Sequence, residues 1–379
     1  AAYLDGLLGG FDADPVEGES FALLLSSDAD DPTARFTSLS VIGRRLLPPT
    51  RLLRSGALTV DPFLLRGASL GAAWRAERGG AAGAVYHAAG GGLPIASGLP
   101  VIATLLDLAP WAAPEAYQRG TAARFGQRLR AQLLREAAAV IVGTDEVAIA
   151  ARKLLRIKRD RLRVVPLAAR PAFLASPGDA GSPARTGAGP YLVYGARHDA
   201  RHDLATLTAA LARLSAAGRP AKLKASVPWP PRVVITEASP DDRAEIARVA
   251  ARDGVGDLLT YVPTIPAEEL VAIVRGARAA LVPRRSDATG FAALDALAVG
   301  VPVVASAVEA LPGIVGTAGI LVESRDVDRL AAALTTIWTN ESLHTRLAKA
   351  AAASSVAART WVDVARDVRA IYAEVGVPR

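Results

Sequence analysis

Two carboxylates, Asp287 and Asp295, stand in "DATGFAALDALAVGVPVVAS", residues 287–306, one just before a small-residue helix and one inside it. A mid-helix Asp is ordinarily a solvated position, but Leu294, Ala296 and Leu297 leave Asp295 little room for a wet face. The helix is expected to start at Gly290 and end near Val299, with Thr289 as N-cap and Gly300 as the stop. That leaves the amides of Gly290, Phe291 and Ala292 without intrahelical partners, where dipole and donors favour an anion such as diphosphate. Glycine at 290 admits close approach of a ligand to the backbone. Between Gly290 and Asp295 the helix climbs roughly 7–8 Å, about the span from a nucleotide's diphosphate to its ribose. Asp295 is therefore placed to accept hydrogen bonds from ribose hydroxyls, and Asp287 to lie near whatever the far phosphate carries.

The elements that must position these groups read as strands alternating with helices. Apolar runs bounded by turn residues lie at 21–27, 36–42, 83–87, 100–106, 138–143 and 161–167, with helical patterns at 114–137 and 145–156. The segment 170–189, "RPAFLASPGDAGSPARTGAG", is rich in Pro, Gly and Ser and reads as a linker. Alternation restarts at 190–195, 231–238, 258–262, 279–283, 301–306 and 319–323. Such alternation, with runs suited to burial on both faces, predicts parallel sheets covered by helices. The expected fold is α/β, two Rossmann-like domains with parallel sheets facing a central cleft, with ligands at the carboxyl ends of strands. The expected divisions are 1–170, a linker at 171–189, a second domain at 190–356 and a last helical segment at 357–379.

Composition narrows the function classes. The 379 residues contain no cysteine, which excludes disulfides, thiolate metal sites and cysteine nucleophiles. The net charge of +7, mostly arginine, suits anionic small molecules or acidic membrane surfaces as well as nucleic acid. Few aromatics and no interleaved basic and aromatic pattern speak against nucleic acid. No stretch of 18 uninterrupted apolar residues predicts a spanning helix, and "AAYLDGLLGGFDADP" lacks the basic start and cleavage site of a signal peptide. A cytoplasmic location is expected. "RRLLPPTRLLRSG" (44–56) reads as a solvated connector, with peripheral contact at an anionic inner membrane face as the alternative. No cluster of His and carboxylates has metal-ligand spacing, so neither metal nor cofactor is expected.

The Asp-x7-Asp pair followed by "ALAVGVPVVAS" and "ALPGIVGTAGILVESRDVDRLAAAL" resembles the family-4 retaining glycosyltransferases of GT-B fold, whose signature is Glu-x7-Glu running into a Gly-x-Pro-Val strand. "LPVIATLLDLAPWAAPEAYQRG", "RLRVVPLAARPAF" and "RTWVDVARDVRAIYAEVG" extend the resemblance over nearly the whole chain. Relative to the family, residue 1 falls in the helix after the first strand and glycine loop. The resemblance implies Asp295 as ribose ligand and Asp287 as the acid beside the reacting carbon, each one methylene shorter than the family's Glu. In "YGARHDARHDL" it implies a diphosphate clamp after Gly195, with Arg201 on the family's arginine and His202 on its lysine. A second family arginine falls on Ala196, with Arg197 adjacent. Leu106 stands where the family has a cleft histidine, next to Asp107. Asp107 and His87 are acceptor-side candidates, with a strand-end turn and a structural histidine as their bland alternatives. The doubled "ARHD" has its own, a polar loop capping a helix at Asp203.

What the resemblance implies is a bacterial-type, metal-independent, retaining transferase. Its substrates would be a nucleotide-diphosphate sugar and a glycan, lipid-linked or small-molecule acceptor. The departures at Leu106, Ala196, His202 and the two acids support the alternative of a non-catalytic GT-B subunit that binds a glycan or a catalytic glycosyltransferase.

Overall fold

Short apolar runs fold into parallel strands along the whole chain. The computed structural model describes residues 2–27, 30–48, 57–78, 83–89, 92–175, 186, 189–221, 223–354 and 358–376. The chain divides into two units, Ala1–Ala168 with Arg359–Arg379, and Ala169–Ala358.

In the first unit β1 (Phe21–Ser26) and β2 (Val41–Leu47) pair in parallel. A separate four-stranded parallel sheet has the order β3 (Tyr86–Ala88), β4 (Val101–Thr104), β5 (Ala139–Val142) and β6 (Leu162–Val164). All four residues of β5 are buried, and Thr144 caps the helix Asp145–Leu155 behind it through the amide of Val147. The helix Trp361–Gly376 belongs to this unit and packs on the helix Ala2–Ala13. Contact is close because Gly10 lacks a side chain: a Cβ there would run into the Trp361 carbonyl. The rings of Tyr3 and Trp361 meet edge to face at 5.9 Å.

Four expected segments differ from the structure. The strand expected at 36–42 runs instead over Val41–Leu47, because pairing with β1 begins at Val41 opposite Phe21. Arg44 and Arg45 therefore lie in a strand rather than a connector, and residues 49–56 of that basic segment lie outside the described residues. The pattern at 114–137 splits into the helices Pro114–Tyr117 and Thr121–Glu136, parted near Gly120. The Pro/Gly/Ser-rich segment starts with a helix, Pro171–Ala175, and residues 176–185 lie outside the described residues.

The second unit is one six-stranded sheet built from β7 (Leu192–Gly195), β8 (Val233–Thr236), β9 (Leu259–Tyr261), β10 (Ala279–Val282), β11 (Val303–Ser306) and β12 (Gly319–Val322). Its order is β12-β11-β10-β7-β8-β9, with every pairing parallel. Every residue of β8, β10 and β11 is buried, as a sheet covered by helices on both faces requires. On one face Leu192, Tyr194, Val233 and Leu281 pack against Leu207, Leu211, Leu334, Ile337 and Trp338 from helices Leu204–Ala217 and Val327–Thr339. No helix of the described residues is long and apolar enough to cross a membrane.

Candidate functional site

In the second unit the strand order reverses between β7 and β10, and open parallel sheets bind ligands at the carboxyl ends beside such a point. The loops leaving these two strands are joined. His202 and Arg284 form an antiparallel bridge, the Arg285 amide donates to the Arg201 carbonyl at 2.7 Å, and the Asp203 amide to the Pro283 carbonyl at 3.0 Å. Gly195 ends β7, and Asp287, Thr289 and Gly290 follow β10. The backbone at Arg201 and His202 thus lies against the loop that leads to Asp287, while the Arg201 side chain turns to Asp199.

The helix after β10 is Phe291–Ala298, and its N-cap is Gly290, not Thr289. Gly290 takes a left-handed φ of 65°, and a Cβ on it would run into Ile314 Cδ1. The side chain that satisfies this turn is Asp287. Its Oδ1 accepts from the Gly290 amide at 2.8 Å and from the Thr289 amide and hydroxyl at 3.2 Å. The Gly290 amide, expected to be open to an anion, is taken by a carboxylate of the chain itself. Phe291 and Ala292 form the first helical turn, half-buried.

The loop after β7 is organised by Asp199, which the sequence reading passed over. It accepts from the Arg201 amide at 2.9 Å and from Arg201 Nη2 at 2.6 Å. His202 Nδ1 lies 2.8 Å from Asp199 Oδ1, and Nε2 faces Arg284 Nη1. A guanidinium only donates, so Nε2 accepts and the proton sits on Nδ1, donated to Asp199. Burial, assisted by the Arg284 charge, lowers the His202 pKa. Asp199 is held well below the usual range by His202 and Arg201, against the burial that would raise it. His202, 8% exposed with both nitrogens engaged, is not the diphosphate donor the sequence suggests. Ala196 is fully buried, and Arg197 is exposed, its charge acting on Asp242.

Arg284 is a second residue the sequence reading missed. Its amide donates to Ser306 Oγ at 2.9 Å, and Ser324 Oγ donates to its carbonyl at 3.0 Å. Its Nε is buried without a hydrogen-bond partner, the Asp287 Oδ2 atom lying 3.7 Å away. A cue was available: "VPRRSD" puts two arginines directly after a core strand.

Asp295 is 2% exposed, and both its oxygens are engaged within this unit. Arg170 donates to Oδ1 through its amide at 2.8 Å and to Oδ2 through Nε at 2.6 Å. Arg170 Nη1 reaches Glu237, past the end of β8, at 2.6 Å. Burial pushes the Asp295 pKa up to about 6, against the pull of Arg170. The mid-helix carboxylate is thus neither solvated nor open to a ligand in this conformation.

The two candidates of the first unit have local roles. His87 at β3 places Nδ1 2.6 Å from Tyr372 Oη and Nε2 2.7 Å from Thr104 Oγ1, tying the C-terminal helix to the sheet. Both nitrogens are used, and burial lowers its pKa to about 4. Asp107 caps the turn after β4 through the Ala109 amide at 2.9 Å, near the charge of Arg130. Leu106 beside it brings no polar group. No group of three or more His, Asp or Glu gathers as a metal site among the described residues.

Residues 190–340, which contain the whole β7–β12 sheet and its loops, match the family model described as Glycosyl transferases group 1. This segment is similar to the group 1 glycosyltransferase domains. A D-inositol 3-phosphate glycosyltransferase of Frankia alni is 38% identical over 129 residues, 34% of this chain and 31% of the relative. The match therefore spans about a third of the relative's length. Among solved structures, a glycosyltransferase from Rickettsia africae superposes with a TM-score of 0.64 at 11% identity, covering 99% of this chain and 95% of that one. The Anabaena protein HepE, in complex with UDP and glucose, gives 0.58 at 16% identity over 73% and 72%. At these identities the likeness is one of fold, and the fold is GT-B.

Proposed function

We propose that the chain is a glycosyltransferase that moves a sugar from a nucleotide-diphosphate donor to a glycan, lipid-linked or small-molecule acceptor, with retention and without a metal. What supports this reading is the strand-order switch point between β7 and β10, where the loop of Arg201 is bridged to the loop that leads to Asp287 and the Gly290 helix start, inside a segment that matches the group 1 glycosyltransferase model. The acceptor oxygen would attack the anomeric carbon from the leaving-group face. As the bond from that carbon to the diphosphate oxygen breaks, the departing oxygen would take the acceptor's proton. Arg201 supplies positive charge for the leaving group. Asp287 spends Oδ1 on its own helix start, leaving Oδ2 for the sugar. Asp295 would receive the ribose diol once Arg170 swings toward Glu237, the carboxylate it already touches.

UDP-glucose, bound in another structure of Anabaena HepE, and D-inositol 3-phosphate, in the name of the Frankia alni relative, are the first donor and acceptor to test. Transfer would be followed by NMR with UDP-, GDP- and ADP-glucose, with chelator present and a panel of acceptors. A product with the donor's anomeric configuration supports the reading. Inversion, or turnover that stops with chelator, contradicts its mechanism. One observation favours a rival: Arg170 occupies both oxygens of Asp295, as suits a non-catalytic partner subunit. That subunit would bind no nucleotide and turn over no donor.

A further inference from the structure

The donor reading leaves the diphosphate short of partners. The Gly290 amide is taken by Asp287, Ala196 brings no charge, and His202 Nε2 is an acceptor rather than a donor. We propose that Arg284 meets the diphosphate, with His202 and Asp199 as the positioning residues that aim its guanidinium. The inference rests on the glycosyltransferase reading and adds to it a residue outside the motif that suggested that reading.

Three observations converge on Arg284. Its backbone is fixed by Ser306 and Ser324, so the side chain starts from a rigid point at the end of β10. Its guanidinium is held from one side by the chain Asp199–His202–Arg284, in which each hydrogen bond sets the direction of the next. Its Nε is a buried donor that no acceptor meets, 3.7 Å from the carboxylate expected beside the reacting sugar. Burying a polar N–H without a partner is costly, and a ligand or an ordered water that meets it recovers that cost. A phosphate oxygen entering beside Asp287 would satisfy it and gain a charge-assisted, directional contact. A neutral His202 can accept from the guanidinium, whereas the lysine of the family pattern would repel it. The departure at 202 thus makes sense as half of an Arg–His pair.

The test compares nucleoside diphosphate with monophosphate of the same base by calorimetry, using UDP/UMP, GDP/GMP and ADP/AMP on the full chain. Arg284→Gln should weaken the diphosphate about tenfold or more, the loss of one hydrogen bond to a charged group, and leave the monophosphate within about threefold. Arg284→Lys, which keeps the charge but loses the fork, should fall between, and it serves if the Gln variant does not fold. His202→Phe should lower diphosphate affinity and spare the monophosphate, a selectivity that mere destabilisation would not produce. Equal losses for both nucleotides, or an unchanged diphosphate affinity, would overturn the assignment of Arg284. If the unsubstituted chain binds no nucleotide, the donor reading itself fails and Arg284 with it, which the first titration already shows.

Discussion

Replacing Arg170 by alanine leaves the Asp295 carboxylate buried at 2% exposure without its cation. Removing one member of a buried pair costs about 3–5 kcal/mol. Because the Arg170 side chain is 26% exposed, a loss nearer about 2–3 kcal/mol is expected at pH 8. The pH dependence gives the sharper check. Asp295 is raised from 3.8 to about 6, chiefly by burial, while Arg170 pulls it down. A carboxyl whose folded pKa exceeds its unfolded one stabilises fully below the unfolded value and loses that contribution as pH rises through the folded one. Without Arg170 the folded pKa climbs further, so the variant goes on losing stability at pH values where the unsubstituted chain has stopped. The gap between the two should be small at pH 5 and widest near pH 8. For a unit of this size it corresponds to roughly 4–12 °C in Tm at pH 8, measured beside urea midpoints at both pH values. A gap as large at pH 5 as at pH 8, or none at pH 8, would refute the buried pair.

Two further outcomes follow from particular residues. His87, lowered from 6.5 to about 4 by burial, must stay neutral in the folded state, so the first unit should lose up to about 3 kcal/mol as pH falls from 7 to 4. Urea titrations should show that loss flattened in His87→Gln, and an equally steep loss in the variant would contradict it. Gly290→Ala meets both the left-handed φ and Ile314 Cδ1 and should cost about 2–4 kcal/mol, with partial recovery when Ile314→Ala is added. An unchanged Tm for Gly290→Ala would count against the observed helix start.

The β7–β12 sheet is legible in the sequence because its central strands are buried on both faces and appear as short apolar runs between turn residues. β2 is not, because it exposes Ile42 and Leu46 and carries Arg44 and Arg45, so neither an apolar run nor clean alternation marks it. At the site the spacing of Asp287 and Asp295 was readable, since both depend on one local helix. Their partners were not. Asp287 satisfies its own turn, and the group on Asp295 comes from Arg170, 125 positions away. His202 could be placed after its strand from the sequence, but whether it donates or accepts depends on Arg284, 82 positions away.

Under the proposed function the switch point between β7 and β10 receives a nucleoside diphosphate. Calorimetric titration of UDP, GDP and ADP into the unsubstituted chain and into Asp295→Ala tests it most directly, with folding of each checked by thermal unfolding. Binding of one nucleotide, weakened about tenfold or more by the substitution as the loss of a charged ribose contact requires, is the predicted result. Binding of none of the three by the folded, unsubstituted chain would contradict it and leave the non-catalytic subunit as the standing account.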